Sequence, residues 1–194
     1  MWPWEHLAFA YVLYSLTANV VVRRSPSARE AIAVAVGSQL PDLVDKPLAW
    51  TAGLTGSGYS VGHSLFVAPL VCLAVYAVAT RQGERVRSGG GAFALAYLSH
   101  PIADMLSQLL RGRGVDLRTV LWPIASPPAT SHGGFLDHFV RYFVRYVHQL
   151  LTGGLTVQIA FQALLGLAVL ALWLFDGAPV LTDVWRLLRA RRHR

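Results

Sequence analysis

His100 and Asp104 stand four residues apart in an apolar stretch, so on a helix they share a face and can chelate one cation. Three further polar interruptions precede them: Pro41-Asp42-Leu43-Val44-Asp45, Gly62-His63-Ser64 and an early His6. An ionisable side chain inside or at the rim of an apolar helix costs a few kcal/mol, so it needs a partner, water or a metal. Histidines and carboxylates together suit zinc, manganese or iron, and the set is too rich in nitrogen for calcium. A divalent metal is therefore the expected cofactor, zinc first, with manganese or iron as alternatives. The candidate ligands are His6, Asp42, Asp45, His63, His100 and Asp104.

A catalytic ion keeps one position open for water, lowers that water's pKa toward about 7, and polarises a carbonyl or phosphoryl oxygen. A surplus of ligands over four permits two neighbouring ions, the arrangement suited to phosphoester cleavage. In such chemistry Asp42, Asp45 and His63 are the catalytic candidates, one aspartate serving as base. Each piece also has an ordinary structural reading. His6 can be an interfacial histidine, Asp42 a turn residue after Pro41, Asp45-Lys46 a surface pair and His63-Ser64 an N-cap region. His100 and Asp104 resist that treatment most, because inside an apolar helix they need each other or a third partner. His132 and His138 are either further ligands, proton carriers or ordinary loop histidines. No P-loop, Gly-x-Ser-x-Gly or Cys-x-x-Cys pattern is present.

The elements that must position these residues read as membrane helices. The 194 residues are 54% hydrophobic and only 14% charged, far below the roughly 25% charge of a soluble domain. Mean hydropathy is +0.45. A net charge of +7 raises nucleic acid as a partner. The basic residues instead flank apolar segments and fill the C-terminus, so no nucleic acid is expected, and membrane lipid is. Cys72 is the one cysteine, which excludes an intrachain disulfide. Met1-Trp2-Pro3-Trp4-Glu5 lacks a basic leader, so no cleavable signal is expected.

The pattern predicts an all-α, polytopic membrane bundle of about four to five embedded helices in a single domain, with one interfacial amphipathic helix. His6 to Val22 is just long enough to span and is closed by Arg23-Arg24. Ser27 and Glu30 form a capping box for a second helix, expected to end at Pro41. A glycine-rich loop covers about Trp50 to Gly62. Apolar segments follow at His63 to Thr80 and Ala92 to Leu110, joined by a basic linker, Arg81 to Arg87. Pro101 can kink the latter segment near His100. Residues 111 to 133 read as loop, anchored by Leu121-Trp122-Pro123. Gly134 to Leu151 is the amphipathic helix, Leu155 to Phe175 the strongest span, and Trp185 to Arg194 a basic tail.

With the N-terminus outside, Arg23, Arg24, Arg29, Arg81, Arg85, Arg87 and the five tail arginines lie inside. Lys46, Arg111, Arg113, Arg118, Arg141 and Arg145 lie outside, a bias of eleven to six in favour of this topology. It brings all six candidate ligands to the extracytoplasmic leaflet, which the arginine count did not require.

At these residues the sequence resembles the membrane-bound metal-dependent hydrolase family typified by the bacterial YdjM protein. The matching pieces are His6, Leu40-Pro41-Asp42, His63-Ser64-Leu65, His100-Pro101-Ile102-Ala103-Asp104 and Leu121-Trp122-Pro123, within residues 1 to 125. Asp42 and Asp45 are three apart, where the family more often shows Asp-x-Asp, and the family's Arg-Gly-x-Thr lead-in is missing before His63. That pattern is in turn similar to the zinc-dependent phospholipase C and nuclease group. By that likeness Asp42, His63, His100 and Asp104 form the main metal site, and His6 completes a neighbouring one through Asp104. The later histidine and glutamate ligands of that group have no clear match. The resemblance implies a hydrolase cleaving an ester, with a phosphoester of a lipid or lipid-linked substrate expected first. The alternatives are a non-catalytic membrane scaffold that keeps a structural metal, and a small proton- or ion-coupled transporter with buried His and Asp as relay. The lack of an internal repeat weighs against the transporter.

Overall fold

Capping and apolar length decide where the helices begin. Ser27 Oγ accepts from the Glu30 backbone N–H, while the Glu30 carboxylate accepts from Ser27 N, so the capping box forms as its sequence predicts. Thr156 caps another helix in the same way, accepting from Ile159 N. The computed structural model describes residues 1–129 and 133–192. Among the described residues the chain is all-helical, with seven α-helices. They are α1 (Pro3–Leu16), extended by a π-helical stretch (Thr17–Val22), α2 (Ala28–Trp50), α3 (Ala68–Thr80) and α4 (Glu84–Leu110). Then come α5 (Phe135–Thr152), α6 (Val157–Phe175) and α7 (Leu181–Arg192).

The boundaries correct several expectations. The second helix does not stop at Pro41 but runs on to Trp50 with Pro41 and Pro47 inside it. A proline lacks the N–H that would reach the carbonyl four residues back, and tertiary contacts must offset that loss. Here they do: Asp45 is fully buried and anchors the loop after the helix, and the Ser38 carbonyl accepts from His100 Nδ1 at 2.6 Å. His63 does not open a helix, because α3 starts five residues later at Ala68. Part of the basic linker is the first turn of α4, which also continues through Pro101. The basic tail is helical, within α7, as far as Arg192.

The core is α2 packed on α4, with α3 also packed on α4 and α1 lying against both α2 and α4. Small residues let the backbones meet. A Cβ added at Gly37 of α2 would lie 2.5 Å from the Phe93 carbonyl oxygen of α4, and one at Gly90 of α4 would lie 2.8 Å from Ala79 of α3. Ala10, Tyr11, Tyr14, Val34, Ala92 and Ala96 fill the space between α1, α2 and α4.

Helix α6 runs parallel to α1. Gln162 near its start bonds Glu5, and Asp176 just past its end accepts from Tyr11 Oη (2.9 Å), Ser15 Oγ (2.7 Å) and Asn19 Nδ2 (2.8 Å). The stretches Pro3–Val22 and Val157–Phe175 are long and apolar enough to cross a membrane, whereas Ala68–Thr80 is apolar but shorter. By length α2 and α4 rise roughly 35 and 40 Å. Helix α5 lies over one end of the bundle through aromatic contacts. Phe139, Phe143 and Tyr146 meet Trp2, and Phe135, His138 and Tyr142 meet Trp50.

Candidate metal centre

Four separate pieces of chain deliver polar side chains to the end of the bundle beneath α5. They are His6 from α1, Asp42 and Asp45 from α2, His63 from the loop before α3, and His100 with Asp104 from α4. All six are buried. His63 Nε2 and His100 Nε2 face each other at 3.1 Å. Asp42 Oδ1 lies 3.6 Å from each of them. Asp104 Oδ2 lies 3.6 Å from the first and 3.8 Å from the second. These are two triangles of donor atoms sharing the His63–His100 edge. Donor atoms held 2.0–2.1 Å from a tetrahedral zinc ion stand about 3.3–3.4 Å apart, so each triangle has nearly the size of one tetrahedral face.

The tautomers follow from what the other ring nitrogens touch. His63 Nδ1 lies 2.7 Å from Asp45 Oδ2, and His100 Nδ1 lies 2.6 Å from the Ser38 carbonyl. Both partners only accept, so both Nδ1 atoms carry the hydrogen and both Nε2 atoms present lone pairs. Two imidazole lone pairs and two carboxylate oxygens thus converge, all acceptors with no donor among them. A proton shared between the imidazoles satisfies one edge of that cluster. A divalent cation satisfies all of it, and the donor set is the one zinc takes.

Asp104 serves two sides. Its Oδ1 faces His6 Nε2 at 3.3 Å and the Met1 amine at 2.5 Å, and the His6 ring stacks on His100 with centroids 3.6 Å apart. His6, His100 and Asp104 form a second compact triad beside that of Asp42, His63 and His100. His6 Nδ1 is buried with no hydrogen-bond partner among the described residues.

Asp45 stands apart from both triads. Its Oδ1 accepts from Ser60 Oγ (2.8 Å) and Gly62 N (2.8 Å). Its Oδ2 accepts from Ser60 N (2.7 Å), His63 N (3.1 Å) and His63 Nδ1 (2.7 Å). Lys46 pairs with Asp42 Oδ2 rather than with its neighbour Asp45, which corrects the surface-pair reading. His138 belongs to neither triad; it is buried and stacks on Trp50 with centroids 4.6 Å apart. His132 lies outside the described residues.

The residues that sequence reasoning missed are those that hold His63 in place. Gly62 sits against α2, where an added Cβ would come within 2.7 Å of the Pro41 carbonyl oxygen, and its own carbonyl accepts from Tyr97 Oη at 2.8 Å. Ser64 Oγ donates to the Trp122 carbonyl at 2.7 Å, and Leu65 N to the Val120 carbonyl at 2.9 Å. The Leu121-Trp122-Pro123 turn is thus anchored, against the histidine loop. Tyr59 sets its ring edge-on to His63 at 4.8 Å between centroids. The one signal for these contacts was the crowding of glycine and serine before His63.

No curated protein and no solved structure matches the chain. A family model described as YdjM inner membrane protein matches residues 1–180, which takes in α1 to α6 and every residue of the centre. The chain belongs to the YdjM inner membrane protein family.

Proposed function

We propose that the chain is a membrane-embedded, metal-dependent hydrolase that cleaves a phosphoester of a lipid or lipid-linked substrate. The carrying observation is the convergence of four acceptor atoms, from Asp42, His63, His100 and Asp104, with both imidazole Nδ1 hydrogens already committed elsewhere. Zinc is the cation this donor set suits best, with His6 and Asp104 able to hold a second ion. Such an ion supplies a water nucleophile at neutral pH and stabilises charge on the phosphoryl oxygens.

The chain's own residues do the rest. Asp42 presents Oδ1 to the cluster and pairs its Oδ2 with Lys46; opening of that pair would free Oδ2 to accept the proton that an attacking water loses. Asp45 fixes the tautomer and direction of His63 and is not itself a ligand. The Ser38 carbonyl does the same for His100. Burial of the cluster excludes bulk water and strengthens each of these interactions.

The direction of α1, opposed to the parallel pair α2 and α4, together with the arginine asymmetry, supports a bundle of four to five embedded helices with the centre at the extracytoplasmic leaflet. Helix α5 then lies along the membrane surface above the centre, where lipid approaches. Purified protein is expected to carry zinc or manganese, reduced in His100→Ala and Asp104→Asn. It is expected to hydrolyse members of a phospholipid panel, with activity lost in Asp42→Asn and His63→Ala. Metal-free wild type would refute the centre; a metal-bearing but inert protein would refute the hydrolase and leave a structural metal.

A further inference from the structure

We infer that Lys46 forms an anion-binding subsite beside the metal centre, taking a phosphoryl group of the substrate. The inference rests on the metal-centre reading above and extends it to what binds there.

The helix register puts Asp42, Lys46 and Trp50 on one face of α2, each four residues after the last. The Lys46 ammonium pairs with Asp42 Oδ2, the oxygen turned away from His63 and His100. It is therefore held one carboxylate away from where the cation would sit. Its stem packs over Gly58, and its head lies 5.8 Å from the centre of the Trp50 ring, which keeps the chain from swinging freely.

Exposure runs in one direction across the cluster. The Lys46 side chain is 26% exposed, Asp42 10%, and His63 and His100 1% or less. Lys46 thus stands at the rim, and a ligand arriving from outside meets it first. Of the other basic residues on this side, Arg111, Arg113 and Arg118 lie on the loop after α4, where Arg118 is tied to Asp116, and Arg141 and Arg145 lie on exposed positions of α5.

A structural ion pair at this spot would be a poor arrangement for a metal ligand. A neighbouring ammonium competes with the ion for Asp42 and repels it. The arrangement would become favourable once an oxyanion bound beside Lys46, its charge offsetting both the ammonium and an ion held by the cluster. The ammonium suits a phosphoryl oxygen as a point charge with three donors.

The test uses full-length protein in detergent, loaded with Co(II), whose visible spectrum reports both uptake and anion binding. Inorganic phosphate and dihexanoyl phosphatidic acid are titrated separately into wild type, Lys46→Met and Lys46→Arg. Lys46→Met is expected to bind Co(II) as tightly as wild type or tighter, since a repelling charge is gone. Its affinity for both phosphates should fall at least ten-fold, and Lys46→Arg should recover most of the loss. Tighter binding of phosphatidic acid than of phosphate by wild type identifies a lipid headgroup as the ligand, and equal binding identifies the free anion; both support the subsite. Phosphate affinity unchanged in Lys46→Met, with Co(II) bound, overturns the subsite alone. Co(II) affinity falling in Lys46→Met gives the lysine a structural role and overturns it too. Failure of wild type to bind Co(II) overturns the metal centre and the subsite together.

Discussion

Replacing Asp45 with asparagine separates a ligand from a residue that aims one. Asn keeps one oxygen and turns the other into an NH2 group. At the Oδ2 position that group would confront three donors: Ser60 N, His63 N and His63 Nδ1. At the Oδ1 position it meets Gly62 N and the Ser60 hydroxyl, which can rotate to accept. The amide therefore takes the Oδ1 side and leaves the Gly62 N–H unpaired. An orphaned buried donor costs about 1–3 kcal/mol, and this falls on stability. His63 Nδ1 keeps a partner, now a neutral carbonyl, so a charge-assisted bond becomes an ordinary one at a loss of about 1 kcal/mol. That loss falls on the basicity and fixed direction of Nε2, and partners of this kind typically alter metal affinity by about 10–100-fold. Competition against a chromophoric chelator measures the affinity, and elemental analysis the stoichiometry. Asp45→Asn should bind the same number of ions more weakly, whereas Asp42→Asn should lose an ion or its site. An Asp45→Asn protein as metal-free as Asp42→Asn would refute the aiming role, and so would one within two-fold of wild type.

Two other substitutions probe the frame. Gly62→Ala places a Cβ 2.7 Å from the Pro41 carbonyl oxygen, at least about 0.5 Å too close by ordinary packing, so the loop must lift and carry His63 off Asp42. Metal affinity and hydrolysis should both fall by more than ten-fold, while Gly166→Ala, whose Cβ meets open space in α6, should change neither. Asp176→Ala strands the Tyr11, Ser15 and Asn19 donors at the opposite end of the bundle. A loss of about 2–4 kcal/mol in thermal or denaturant unfolding is expected, with ion stoichiometry unchanged; a stability within 0.5 kcal/mol of wild type (roughly, the size of a neutral surface change) would contradict the tie.

Residue types revealed the centre because water is scarce where these residues sit. A histidine or aspartate in an apolar helix is expensive, so each one retained there advertises a partner. His100 and Asp104 were legible as a pair for a second reason, since one helical turn fixes their common face without any tertiary information. The amphipathic helix and the capping box at Ser27 were legible on the same local terms. Roles within the centre were another matter, and Pro41 shows why. Read locally, a proline ends a helix, which leaves Asp42 and Asp45 in a turn with no defined directions. The structure carries α2 through Pro41, and that one fact sets everything after it. Asp42 faces His63 and His100, Lys46 comes round to Asp42, and Asp45 turns into the loop to meet Ser60, Gly62 and His63. What sustains the helix there is long-range: the Asp45 carboxylate caught by five donors, and the Ser38 carbonyl by His100. The contacts that overrule the local signal are thus the same contacts that orient the two imidazoles. A sequence read one segment at a time can find such a centre, but it cannot assign the atoms, because helix continuity and site geometry are decided together.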